Sequence, residues 1–179
     1  MMKKNRILTI GLFTFTSLFA ASSFAAITGQ VDVKLNISSG CTVDNSKVEG
    51  NMNKFGVLDF GQSASTWTNV LTAEVASSNG GGDLTVTCDS GVNTFNVSVN
   101  GGERGDRTLS NATDTVAYDV YQDAARTTPY ALNTNVTFSG TAGKTVPVPM
   151  YGAIAANTTP TTAVSDGDYT DTLLVTVSF

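Results

Sequence analysis

Between Leu84 and Cys88 every second side chain is apolar, with Leu84, Val86 and Cys88 alternating with Thr85 and Thr87. This period of two limits what the segment can bury. It suits an extended strand with one face turned inward, and it does not line one stripe of a helix. The same period returns in Phe95, Val97 and Val99 around Asn96 and Ser98, and in Tyr118 and Val120 around Asp119. Further strand candidates run over 57–60, 70–76, 135–138, 146–150 and 169–179. Clusters of Gly, Asn, Asp and Ser separate them, as in 78–83 and 100–105, which is turn chemistry. Short strands at this spacing predict an all-β sandwich. Pro147 and Pro149 each lack a ladder donor, so their segment is expected at an edge or where the chain switches sheets.

The two ends of this pattern are unusual. From Ile27 the odd positions read Ile27, Gly29, Val31, Val33, Leu35 and Ile37, and after Ser39 and Gly40 they resume with Cys41 and Val43. The run exceeds an ordinary strand of about 5 to 6 residues. It reads as two consecutive strands: an arm over 26–35 that leaves the domain, and a first domain strand running towards Val43. At the other end Leu173, Val175, Val177 and Phe179 alternate with Leu174, Thr176 and Ser178. An apolar strand without a neighbour on one edge invites pairing with another chain. The pattern is equally compatible with a sandwich that closes internally, both termini lying on paired strands.

Lys3, Lys4 and Arg6 precede an apolar stretch from Ile7 to Ala21, and Ser23 and Ala25 occupy the small-residue positions before a cleavage site. Residues 1–25 are therefore expected to be a secretory signal. The stretch contains Thr9, Thr14, Thr16 and Ser17 and falls short of the roughly 20 apolar residues of a spanning helix. The mature chain is not expected to insert into a membrane. Of the 179 residues 154 remain, the size of one domain. The signal takes three of the ten basic residues and none of the fifteen acidic ones, leaving seven against fifteen and a net charge of −8. That balance disfavours nucleic acid as a partner. Cys41 and Cys88 are the only cysteines, and export to an oxidising compartment predicts one disulfide between them.

The sequence contains no His, so the usual general base and commonest metal ligand are missing. No catalytic residue, metal site or cofactor is assigned. Asp166, Asp168 and Asp171 lie beside Gly167 without the further ligands and closing Glu of a calcium loop, and read as turn formers. Arg104, Gly105 and Asp106, flanked by Glu103 and Arg107, read as a solvated charged turn rather than an integrin-type motif. Trp67 reads as packing rather than a sugar platform.

Several segments together resemble the spore coat protein U-like domain, and within it the major rod subunits of archaic chaperone-usher pili of the Csu type. They are VDVKLNISSGCTV (31–43), GNMNKFGVLDFG (50–61), LTVTC (84–88), GGERGDRTL (101–109), YDVYQDAART (118–127), PMYGAI (149–154) and GDYTDTLLVTVSF (167–179). The chain departs from many relatives where Pro129 and Tyr130 precede Ala131 in place of an aromatic-Gly pair. The resemblance implies an incomplete immunoglobulin-like sandwich over 36–179, completed by a donor strand from another subunit. Donor positions would be Ile27, Gly29, Val31, Val33 and Leu35, and the acceptor groove edge Leu173, Val175, Val177 and Phe179. It further implies a homopolymer of identical subunits, a periplasmic chaperone, an outer-membrane usher and a tip subunit. The fibre would be exported through the periplasm to the cell surface, for adhesion and biofilm formation. The alternative is a monomeric secreted domain that binds a carbohydrate or a surface directly.

Overall fold

The computed structural model describes residues 30–37, 39–44, 46–49, 52–78, 83–158 and 163–179. The chain divides into two units, 1–36 and 37–179. The expected signal and the positions Ile27 and Gly29 lie outside the described residues. Of the N-terminal unit, residues 30–36 are described: they form no helix or strand and are exposed, Val31 by 84%, Val33 by 90% and Leu35 by 81%.

The larger unit contains only strands as regular elements among the described residues: β1 (Cys41–Asp44), β2 (Lys47–Glu49), β3 (Met52–Lys54), β4 (Gly56–Leu58), β5 (Leu71–Ser77), β6 (Leu84–Cys88), β7 (Thr94–Val99), β8 (Thr108–Ser110), β9 (Thr115–Ala117), β10 (Asp119–Tyr121), β11 (Val136–Ser139), β12 (Thr145–Val148), β13 (Tyr151–Ile154) and β14 (Val175–Ser178). No helix long and apolar enough to cross a membrane occurs among the described residues.

Register reveals a simpler plan. β12 pairs with β6, Thr145 opposite Thr87 and Val148 opposite Leu84, and β13 pairs with β5, Tyr151 opposite Glu74 and Ile154 opposite Leu71. The Val75 amide donates to the Met150 carbonyl at 2.9 Å, carrying the β5–β13 ladder one residue further towards β12. β5 and β6 thus lie end to end along one partner run. On their other side β1 pairs with β6, Cys41 opposite Cys88, and β4 pairs with β5, Leu58 opposite Val75. The β2–β3 hairpin interrupts that run, and β10 closes the layer against β13. The second layer has the order β11-β7-β14, all antiparallel. The first layer takes the places of the first, second, fifth and fourth strands of an immunoglobulin-type sandwich, and β7 and β14 those of its third and sixth, with β11 on the far side of β7. Among the described residues β12 pairs on one side only, the edge position expected for Pro147.

The alternating residues read from the sequence form the core. Leu84, Val86 and Cys88 from one layer and Phe95, Val97 and Val99 from the other belong to one buried cluster with Val120, Tyr130 and Val148. Val136 and Phe138 of β11 pack against it, the Phe138 ring stacked on Phe95 at 5.4 Å.

Two expectations need correction. The last strand candidate, 169–179, is a strand only over Val175–Ser178, because its partner β7 ends at Val99 and the chain there turns away. The loop at 101–107 is solvated at Glu103 to Asp106, but Arg107 is only 4% exposed. Its guanidinium donates to the carbonyls of Tyr130 at 2.6 Å, Asn100 at 3.2 Å and Val99 at 3.3 Å, and burial lowers its pKa. Tyr130 is fully buried and donates its hydroxyl to the Pro149 carbonyl at 3.0 Å.

Cys41 and Cys88 are joined across 47 residues of sequence, as expected. Closing a loop of that size restricts the unfolded chain by an amount worth roughly 4 kcal/mol. Replacing both cysteines with alanine is expected to lower stability by about 2–5 kcal/mol, read as a lower midpoint in urea unfolding of the oxidised and variant proteins.

Candidate functional site: a groove beside the last strand

β14 is hydrogen-bonded on one edge only among the described residues. Val175 lies opposite Val99 and Val177 opposite Val97, and no described strand pairs with the other edge. Leu173, Val175 and Val177 turn towards the core and pack against it, yet each stays partly exposed, and Phe179 is 63% exposed. β4 is likewise the outer strand of its layer. Between these two edges runs a groove of about 560 Å³. One wall is Leu173, Leu174 and Val175, and the other is Phe55, Gly56, Val57 and Leu58. Its floor is core: Val75, Leu84, Val120 and Met150. Beyond the groove lining, Gly40 approaches the Phe179 ring closely enough that a Cβ there would stand 3.6 Å from it.

An immunoglobulin-type sandwich has its seventh strand next to the sixth, which is the unpaired side of β14. The groove therefore exposes core-facing surface along the line where a strand would lie. A strand placed there would find both requirements of strand addition: backbone groups on β14 for the ladder, and an apolar trough for alternate side chains.

Sequence reasoning picked out the β14 wall from its alternation. It missed the opposite wall as part of any site, although 57–60 was expected to be a strand, because nothing local tells which strand faces which across a sandwich. It also misread Asp171. Asp166 and Asp168 are exposed and flank a bend at Gly167, as turn formers do, whereas the Asp171 side chain is 1% exposed. Its carboxylate accepts from the Tyr118 hydroxyl at 2.6 Å and the Glu103 amide at 2.9 Å, with Arg104 at 3.5 Å. Asp171 and Tyr118 both line the groove. Burial, and next the bond to Asp171, push the Tyr118 phenol far above its usual range, and burial does the same to Tyr130.

Arg104 also donates to the Thr108 carbonyl at 2.9 Å, and Asp106 accepts from the Thr108 hydroxyl at 2.7 Å. Both charged ends of the Arg-Gly-Asp tripeptide are thus engaged within their own loop. Among the described residues no group of three or more His, Cys, Asp or Glu is placed to hold a metal.

The profile of the family described as Spore Coat Protein U domain matches residues 27–176. The chain belongs to that family. As a Spore Coat Protein U domain it carries the groove within the matched span, whereas Val177, Ser178 and Phe179 lie just outside it. A similar solved structure is the CsuC-CsuE chaperone-tip adhesion subunit pre-assembly complex from archaic chaperone-usher Csu pili of Acinetobacter baumannii. It is 15% identical with a TM-score of 0.42, covering 80% of this chain and 40% of that one. The family member described here thus spans two-fifths of that chain. No curated protein sequence matches it.

Tyr118 and Tyr130 have folded pKa values raised above the unfolded value of about 10. Their contribution to stability is thus complete below pH ~10 and is lost as pH rises beyond it. In an alkaline absorbance titration both phenols are expected to ionise only together with unfolding. Ionisation of all five tyrosines in a native protein near pH 10 would contradict this.

Proposed function

We propose that this chain is a structural subunit of a surface fibre, joined to its neighbours by strand addition. The donor is Ile27, Gly29, Val31, Val33 and Leu35 of one copy, and the acceptor is the edge formed by Leu173, Val175, Val177 and Phe179 of the next. The observation that carries the reading is the edge of β14, unpaired among the described residues, above a groove floored by core residues. Exposed, alternately apolar residues over the described part of the arm supply the matching chemistry.

Backbone bonds to β14 give generic pairing, and alternate apolar side chains set the register, because a slip of one residue turns them all outward. Gly29, without a side chain, suits a shallow point of the groove. Four apolar donor side chains at roughly 1.5–3 kcal/mol each give about 6–12 kcal/mol before ordering costs. That suffices for a very long-lived joint.

An uncovered apolar edge is an aggregation hazard, so export requires a temporary occupant. The reading assigns that role to a periplasmic chaperone, subunit exchange to an outer-membrane usher, and the end of the fibre to a tip subunit. The chain would then travel through the periplasm to the cell surface, in a fibre serving adhesion and biofilm formation. The work is mechanical rather than catalytic.

Gel mobility of unboiled against boiled protein, purified with and without residues 26–35, tests this directly. Heat-sensitive, SDS-resistant multimers are expected from the full mature chain alone. Val175→Asp, which places a charge in the groove wall, is expected to abolish them. Stable folded monomers from both forms would overturn the reading in favour of a monomeric binding domain.

A further inference from the structure

β14 is secured by its ladder to β7 over Val175–Ser178, but the groove wall extends beyond that ladder to Asp171, Thr172, Leu173 and Leu174. These residues belong to no strand, and their usual partner has ended, since the chain after Val99 turns into the glycine-rich loop. We infer that Asn100 and Asp171 are positioning residues: their side chains take over from the ladder and hold this half of the groove wall in place before any strand arrives.

Asn100 acts at the junction. Its backbone amide donates to the Leu174 carbonyl at 3.1 Å, and its side-chain oxygen accepts the Leu174 amide at 2.8 Å and the Gly102 amide at 3.0 Å. One side chain thereby extends the pairing of β7 by a residue and starts the loop turn. Asp171 acts three residues earlier. A buried carboxylate is costly unless its oxygens are matched by donors, and here the donors come from Tyr118, Glu103 and Arg104. Those groups sit on the core and on the loop, so Asp171 ties the wall to both. Thr170 adds a pair of backbone bonds with Ser110, each 3.0 Å.

The loop itself is built for this approach. Gly102 adopts φ +78°, and a Cβ at that position would overlap the Asp171 carboxylate. Arg107 anchors the loop's base through the carbonyls of Val99, Asn100 and Tyr130. A wall fixed in advance spares an incoming strand the ordering of its own acceptor, which raises affinity and speeds capture. That consequence rests on the strand-addition reading, whereas the clamp itself does not.

The test uses the full mature chain, comparing wild type with Asn100→Ala, Asn100→Asp and Asp171→Asn. Amide hydrogen exchange is followed on the monomeric fraction, and multimer formation on unboiled gels. Asn100→Ala and Asp171→Asn are expected to speed exchange at Leu174 by about tenfold, to leave Val86 and Val97 protected, and to slow multimer formation by a similar factor. Asn100→Asp keeps the accepting oxygen and is expected to restore both. Tyr118→Phe removes a single donor to Asp171 and carries the same expectation, more weakly, should Asp171→Asn fail to fold. Unchanged exchange at Leu174, or an Asn100→Asp variant as defective as Asn100→Ala, would overturn the clamp. Faster exchange with an undiminished rate of multimer formation would overturn its role in strand capture. Absence of multimers from wild type would count against the fibre reading, and exchange alone would then decide the clamp.

Discussion

A strand inside a sheet gives one face to the core and both edges to hydrogen-bonding neighbours, whereas a border strand keeps one edge open. β14 meets the first demand and only half of the second. Its inward side chains complete the cluster around Phe95, Val97 and Val99, while its outer edge has no partner among the described residues. The partial exposure of Leu173, Val175 and Val177 and the open groove beside them follow from that one unmet pairing.

The rest of the sandwich tolerates many interruptions without losing its plan. Three long runs are each in two pieces: β1 and β4 on either side of the β2–β3 hairpin, β5 ending at Ser77 and β6 beginning at Leu84, and β12 and β13 meeting at Pro149 and Met150. Register carries across each break because the pieces face common partners. Breaks fall where a continuous ladder is not needed to bury the core, and Pro147 sits where a missing donor faces an open edge.

Much of this architecture was legible from alternation. Leu84–Cys88 and the Phe95–Val99 face appear as read, because strands buried on one face write their period directly into the sequence. The β2–β3 hairpin left no such mark, and Val48 within it is 70% exposed. The disulfide followed from compartment and number. The donor positions Ile27 and Gly29 lie outside the described residues, and of the arm only the exposure of Val31, Val33 and Leu35 can be compared with the reading. What alternation could not convey was tertiary: Arg107 buried against three carbonyls, Tyr130 filling the core, and Asp171 and Asn100 holding a segment that resembles a strand but lacks a ladder. Polar residues inside a turn-rich stretch read as solvated, and only the fold reveals which of them face inward.

The disulfide has a consequence for force. Cys41 is the first residue of β1, immediately after Gly40, and its partner Cys88 belongs to β6, which is flanked on both sides by strands. Tension entering the larger unit from its N-terminal side meets this covalent link before it meets the hydrogen bonds of β1. The load passes across the ladder through sulfur to the middle of a sheet, so the edge strand is not peeled away one bond at a time.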